Sequence, residues 1–379
     1  MNPEPSSFAA VILAAGLSTR MGAFKPLLEL GGTTLVARTV ALFRAAGVGD
    51  IRVVAGFKAR AVASEARQAG ANVVVNARYR DGMLSSVQAG LAAAAGVEAV
   101  FVLPVDVALV RPATVAALMG RFVPGALVYP VFQGRRGHPP LIDAGLIPGI
   151  VSWQGPGGLD MILGTWEARA VEVPVADKAV HLDIDTAADY EKTLAMIGRR
   201  QIPSRSEALY LLETVAGVDP KILAHGKAVA AVALSLGRAL NRAGCALDLD
   251  LIQSAGLLHD IVRHQPDHAA AGAELLTGLG FAKVGAVVAV HMQITPKPEG
   301  FDEAEVVHLA DKLVKGDGLV SLDARFGAKL DKYGKDPAAV QRIEQRLAEA
   351  RAIAAKVERL TGTTIDQILQ EQGLQKNRL

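Results

Sequence analysis

Along the first two hundred residues, short apolar runs alternate with longer alanine-rich stretches. The runs Ala9–Leu13, Ile51–Ala55, Asn72–Val75, Ala99–Leu103, Ala126–Pro130 and Ala170–Val175 are rich in Val and Ile. Each is too short for a helix and is separated from the next by a segment of helix length. That βαβ rhythm predicts a mostly parallel sheet covered by helices. Beyond Ser206 the rhythm stops. Apolar residues then recur every three or four positions, as in Val340, Ile343, Leu347, Ala350, Ala354 and Val357. This spacing marks one face of a helix and predicts an all-helical second half, the stripe itself serving as core or as a self-association face. Between the halves, Gly198-Arg-Arg-Gln-Ile-Pro-Ser-Arg205 combines Gly, Pro and charge as a linker does. The expected division is residues 1–198 and 206–379, within the two or three domains that 379 residues allow at roughly 150 each.

Charge changes the picture by exclusion. The net charge is +2, and each half is nearly balanced, with 17 basic against 16 acidic residues up to residue 198. Neither half is the basic body of a nucleic-acid binder, so no nucleic-acid partner is expected. The lone cysteine, Cys245, excludes an intramolecular disulfide and a multi-cysteine metal cluster, and fits a reducing cytoplasm. With no activating base beside it in sequence, it reads as a buried, inert thiol. The apolar stretch 8–15 has no Lys or Arg before it, the wrong order for a signal peptide, and no apolar run approaches the ~18 residues of a membrane span. A cytoplasmic protein without membrane association is expected. Histidine is uneven: six of eight lie between residues 225 and 308.

After the first predicted strand comes Leu13-Ala-Ala-Gly-Leu-Ser-Thr-Arg-Met-Gly-Ala-Phe-Lys25. Gly16 and Gly22 let the backbone turn and present N–H groups, Ser18 and Thr19 add hydroxyls, and Arg20 and Lys25 add positive charge. A nucleoside triphosphate needs that set, with donors for its oxygens and cations for the charge that builds as pyrophosphate leaves. It is neither a Walker A loop nor a dinucleotide Gly-x-Gly-x-x-Gly. Asp106 follows an apolar strand, where open α/β sheets place ligands. Paired with Asp185, it offers the hard oxygens Mg²⁺ prefers. As single residues, these aspartates also suit helix caps or turns.

The segment from Leu13 to Lys25 resembles the Leu-Ala-Ala-Gly-x-Ser-x-Arg-Met-Gly-x-x-Lys signature of the molybdenum cofactor nucleotidyltransferases, and four further motifs follow in family order. Asn76-Ala-Arg-Tyr-Arg-Asp-Gly-Met-Leu-Ser-Ser-Val-Gln88 is similar to the second nucleotide loop, implying Gly82, Ser85 and Ser86 as contacts beside Leu13, Ala14, Ala15, Gly16, Ser18, Gly22 and Lys25. Leu103-Pro-Val-Asp106 resembles the element whose Asp binds magnesium, and Asp183-Ile-Asp-Thr-Ala-Ala-Asp189 the one whose middle Asp, here Asp185, adds a second ligand. Gly134-Arg-Arg-Gly-His-Pro-Pro140 resembles an acceptor-side element and implies His138 at the acceptor. The resemblance implies a Rossmann-like, doubly wound fold of the nucleotide-diphospho-sugar transferase type, with Arg20, Lys25 and Asp106 catalytic. The implied reaction moves CMP from CTP to a molybdopterin-type acceptor. Where the family often has Gly-Asp-x-Gly-x-Arg, this chain reads Gly155-Pro-Gly-Gly-Leu-Asp160, without the Arg. The form Ala14-Ala15-Gly16, against Ala-Gly-Gly, is similar to the cytidylyl-transferring branch. Guanylyl transfer, or a sugar or alcohol phosphate as acceptor, is the alternative.

In the second half His225, His259-Asp260 and Asp311 follow the spacing of the His…His-Asp…Asp arrangement in the HD-domain metal-dependent phosphohydrolases. Two imidazoles and two carboxylates from separate helices suit Mn²⁺, Fe²⁺ or Mg²⁺. His268 and His291 fall where second-metal ligands occur in some members, while His264 reads as a loop residue and His308 as one that packs behind the ligands. The implied activity is hydrolysis of a phosphoester or phosphoanhydride by metal-activated water. Two alternatives stay open: a non-catalytic nucleotide sensor in the HD half, and a carrier that hands the cofactor to a molybdenum hydroxylase apoenzyme.

Overall fold

Strand β1 (Phe8–Ala14) is buried at every position from Ala9 onward. It pairs in parallel with β2 (Asp50–Ala55) on one side and with β4 (Ala99–Pro104) on the other. A strand covered on both faces and both edges reads as an unbroken apolar run, which is why no alternation marks it in the sequence. β2 pairs in parallel with β3 (Asn72–Val75), giving the order β3-β2-β1-β4. The chain therefore steps outward from β1 to β3, then crosses back to place β4 on β1's other side. That reversal is a topological switch point, the place where open α/β sheets open a crevice for ligands.

The computed structural model describes residues 7–371 and 373. They fall into two units divided between Arg199 and Arg200. The sheet of the first unit has eight strands. β5 (Leu127–Phe132) pairs in parallel with β8 (Ala170–Pro174) and antiparallel with β6 (Arg135–Arg136). β7 (Leu141–Asp143) lies antiparallel between β4 and β5. The six expected strands are all present; β6 and β7 are additions of two and three residues, too short for a period to register. Helices α1 (Leu35–Ala45), α2 (Ala59–Gln68), α3 (Met83–Ala93), α4 (Pro112–Met119), α5 (Ile147–Val151), α6 (Leu159–Gly164) and α7 (Ala187–Ile197) complete the unit. α3 sits tight on the sheet: a Cβ on its Gly90 would lie 2.3 Å from a Val11 methyl and 2.8 Å from one of Val54.

The second unit is helical. α8 (Arg205–Tyr210) runs into a π turn, Leu211–Val215, and is followed by α9 (Pro220–Arg242), α10 (Leu249–Leu258), α11 (His268–Gly278), α12 (Ala282–Ala289) and α13 (Glu303–Lys312). After these come α14 (Leu322–Tyr333), α15 (Pro337–Thr361) and α16 (Ile365–Glu371). One departure from the all-helical expectation is a two-residue hairpin, β9 (Val314–Lys315) with β10 (Gly318–Leu319). α9 alone among the described helices has the length and hydropathy of a membrane span, and 56% of its apolar window is buried among its neighbours. α9 and α10 cross closely because glycines face the contact: a Cβ on Gly226 would stand 2.6 Å from the Leu257 carbonyl oxygen, and one on Gly256 2.8 Å from Ala230 Cα. The Val340–Val357 stripe lies on α15, where Ile343 and Ala350 pack with Phe326 of α14. Cys245 is half-buried, not fully buried as expected, because it sits in the exposed turn after α9.

Candidate active site and metal centre

At the switch point of the first unit, the loop after β1 is pinned at its base. The Phe57 N–H donates to Ala15 O (3.1 Å) and the Val105 N–H to Leu13 O (3.1 Å). Leu13, Ala14 and Ala15 are buried, and the chain emerges into solvent at Gly16. Ser18 and Gly22 then adopt left-handed conformations, φ +55° and +69°, and the Ser18 hydroxyl accepts from the Lys25 N–H at 3.1 Å. This fold-back delivers Lys25, only 8% exposed, to the end of the sheet.

There Lys25 Nζ donates to Asp106 Oδ2 at 2.9 Å and to Asp185 Oδ1 at 2.7 Å, while Arg20 Nη1 reaches Asp185 Oδ2 at 2.6 Å. Asp106 lies two residues past the end of β4. The Ile184 N–H donates to Asp106 O, which draws the segment carrying Asp185 alongside (3.2 Å). Burial works against the charge on Lys25, but the two carboxylates outweigh it and raise its pKa above the ordinary lysine value. The bond from Lys25 in turn holds the Asp185 carboxyl below the usual aspartate range. Asp189 closes a capping box with Thr186 at the start of α7 and is a structural residue.

Gly82 opens α3 with φ +103° and clear space where a side chain would be. Ser85 and Ser86 are buried, and both hydroxyls accept from Asn76 Nδ2, at 2.9 and 3.0 Å. Their hydroxyls face inward and set the shape of the second loop. Asn76, itself 4% exposed, is the organiser that motif reading passed over. Its burial and its grip on two serines nine and ten residues downstream emerge only in the folded chain. His138 is exposed, and its N–H donates to Val180 O at 2.8 Å.

In the second unit six predicted residues meet. His225 comes from α9, His259-Asp260 from the end of α10, His268 from the start of α11, His291 from the turn after α12, and Asp311 from α13. His225 Nε2 is 3.2 Å from Asp311 Oδ1 and 3.9 Å from Asp260 Oδ2. His259 Nε2 lies 3.6 Å from Asp260 Oδ2 and 3.8 Å from Asp311 Oδ1. On the far side of Asp260, Oδ1 is 3.1 Å from His268 Nε2 and 3.6 Å from His291 Nε2. Two ligand triplets therefore share one carboxylate: His225, His259 and Asp260, then Asp260, His268 and His291.

The rings are pre-set for ligation. Nδ1 of His225, His259 and His291 bonds a backbone carbonyl, of Gly316 (2.7 Å), Gly256 (2.9 Å) and Val288 (2.7 Å). Each ring thereby turns Nε2 to the centre, the arrangement that fixes the tautomer of a metal-binding imidazole. The buried Nε2 atoms of His259 and His291 and Oδ1 of Asp260 have no hydrogen-bond partner. Buried polar atoms are seldom left so, and a divalent cation would satisfy all three. Burial pushes the His259 imidazole down to about 4, so it stays neutral. Burial also opposes charge on His225, but Asp311 prevails and raises it. Asp260 and Asp311 are held below the carboxylate range despite burial, by the facing His291 and His259 imidazoles and by the Lys312 ammonium respectively.

His308 is fully buried, with its Nδ1 on His291 O at 3.0 Å, and packs behind the ligands; His264 is exposed. Two cations that sequence reading missed attend Asp311: buried Lys312 (Nζ to Oδ2, 2.7 Å) and Arg325 (Nη2 to Oδ1, 3.3 Å). Lys312 adjoins a predicted ligand and was within reach of sequence reading. Arg325 belongs to another helix and was not.

Residues 10–171 match the MobA-like NTP transferase domain and residues 222–316 match the HD domain. The chain is 32% identical over 185 residues to nicotine blue oxidoreductase of Paenarthrobacter nicotinovorans, covering 46% of this chain and 91% of that protein. It is 38% identical over 122 residues to a "Probable molybdenum cofactor guanylyltransferase" of Opitutus terrae, 32% of this chain and 56% of that one. Among solved structures, a nucleotidyl transferase from Methanothermobacter superposes with a TM-score of 0.47 at 24% identity, over 51% of this chain and 98% of its own. The chain belongs to the MobA-like NTP transferases and carries, later in its sequence, an HD domain with a candidate divalent-metal site.

Proposed function

We propose that the first unit transfers CMP from CTP to a phosphate of a molybdopterin-type acceptor, and that the HD unit is a metal-dependent phosphohydrolase. The observation that carries the transferase reading is the Lys25 ammonium bridging Asp106 and Asp185 at the mouth of a glycine-bearing loop. One relative is named as an oxidoreductase, so the site chemistry supports transfer beyond what the family name does. As triphosphate enters, the Lys25 ammonium turns to its oxygens and the two carboxylates become available to a cation. Mg²⁺ held there would neutralise phosphate charge. An acceptor phosphate oxygen attacks the α-phosphorus in line, the bond to the bridging oxygen breaks, and pyrophosphate leaves. Lys25, Arg20 and the loop N–H groups stabilise the charge that develops.

The Ala14-Ala15-Gly16 form supports cytidylyl over guanylyl transfer, and His138 is assigned to the acceptor side. A single cysteine fits action in the cytoplasm. A pyrophosphate-release assay pairing CTP, GTP, ATP and UTP with molybdopterin tests the nucleotide, and CTP is expected to lead. Asp106→Ala is expected to abolish release while the circular dichroism spectrum stays native. Near-normal release by that variant would sink the assignment.

A further inference from the structure

The mechanism uses the metal ligands of the HD unit but not the cations beside them. Arg325 lies on α14, outside the segment that matches the HD domain. Its side chain is 14% exposed, its Nη2 lies 3.3 Å from Asp311 Oδ1, and its buried Nε has no hydrogen-bond partner. Lys329 stands one turn further on, at i+4, on the same helix face. It is half-buried over the Phe326 ring, 5.3 Å from the ring centre, and among the described residues it has no ion pair. Lys312 and Arg346 add their charges to the same neighbourhood.

Three cations, Lys312, Arg325 and Lys329, thus gather around one carboxylate, with Arg346 adding its charge beside Lys329, and a metal ion would claim that carboxylate. Like charges in a partly desolvated site repel strongly unless an anion covers them. Burial and these neighbours push the Lys329 amine down to about 8, which registers the crowding. Asp311 is the hinge of the arrangement, since its Oδ1 faces both the His225–His259 pair and Arg325. A group bound at Arg325 and Lys329 would sit next to a group bound at the metal. A phosphomonoester has one phosphoryl group and would leave that side bare.

We propose that Arg325 and Lys329 form an anion subsite beside the HD metal centre, which makes the substrate of this unit a phosphoanhydride, with one phosphoryl group at the metal and its neighbour on the two cations. The inference rests on the reading of this unit as a hydrolase and names its substrate class. In the reaction a water oxygen forms the new P–O bond and the bridging P–O bond breaks. The proton lost by water goes to the departing phosphate, whose negative charge Arg325 and Lys329 receive. Inorganic pyrophosphate and a nucleoside diphosphate share this chemistry.

The test uses the full chain loaded with Mn²⁺, in a Lys25→Ala background that quiets the transferase loop. Calorimetric titration with imidodiphosphate should show affinity falling about tenfold or more in Arg325→Gln/Lys329→Gln, while orthophosphate affinity stays within about twofold. Elemental analysis reports whether metal is retained. Lys329→Gln alone, which touches no metal ligand, should lose affinity for imidodiphosphate with its metal in place; an unchanged affinity in that variant overturns the subsite. The second arm offers pyrophosphate, CDP and p-nitrophenyl phosphate. Faster cleavage of either anhydride supports the proposal and identifies its source. Equal cleavage of all three, by parent and double variant alike, overturns the subsite and leaves the hydrolase reading intact. If nothing is cleaved, the hydrolase reading fails, and the imidodiphosphate comparison alone decides whether the subsite exists.

Discussion

The HD cluster sets two histidines on opposite sides of their ordinary titration range, and each has its own pH signature. His225 is raised by Asp311, so without metal it favours the protonated form near pH 6.5 and stabilises the fold most below that value. That contribution is lost as pH rises through the raised value. His259, buried and pushed down to about 4, behaves oppositely: its contribution is present above about 6.5 and disappears as pH falls toward 4. Metal ligation needs both rings neutral. Mn²⁺ affinity should therefore climb with pH to a midpoint above about 6.5 set by His225, as titrations from pH 5.5 to 8.5 would show, and a flat profile would refute the assignment. All these ligands were legible as single letters because imidazole and carboxylate have few other reasons to recur at that spacing. Arg325 and Asn76 were not. The importance of an arginine beside Asp311, or of an amide beneath two serines, comes from distances that only the folded chain creates.

Among the elements, the crossing of α9 and α10 governs the metal centre. Gly226 follows His225 directly and meets the Leu257 carbonyl, and Gly256 receives the Nδ1 bond of His259. The glycines that allow the helices to touch thus also aim the ligands they carry. Gly256→Ala, whose methyl would meet Ala230 Cα and N, should cost about 1–3 kcal/mol in thermal or denaturant unfolding. It should also weaken metal binding about tenfold, because the bond from His259 Nδ1 to the Gly256 carbonyl and the helix spacing change together. Native stability combined with native affinity would show that the contact relaxes freely. The strands at the centre of the first unit were readable because both faces of β1 and β4 are buried and their runs are continuous. β7 escaped because a three-residue strand wedged antiparallel between β4 and β5 takes its identity from its neighbours, not from its own letters. The β9–β10 hairpin escaped for the same reason, with two residues on each side of Gly316-Asp317.

At the scale of the whole chain, the two units keep different chemistry and respond to different removals. A divalent ion held by the folded HD cluster and not by the unfolded chain would stabilise that unit, so saturating Mn²⁺ at about a hundred times its dissociation constant should add about 2.7 kcal/mol to it. Scanning calorimetry with and without a chelator should move the transition of the HD unit and leave that of the transferase unit in place. A shift of both transitions by the same amount would show that the units melt as one. The contrast reaches back to the ammonium group of Lys25. In the transferase unit that group already occupies the place between Asp106 and Asp185, and it makes those carboxylates poor bait for a lone divalent ion. On the proposed reading, a triphosphate would draw the lysine away and so free both carboxylates for a divalent ion. One side chain would then set the order of loading: free divalent ion is expected at the HD unit, with its orphaned imidazole nitrogens, and not at the transferase unit until nucleotide enters.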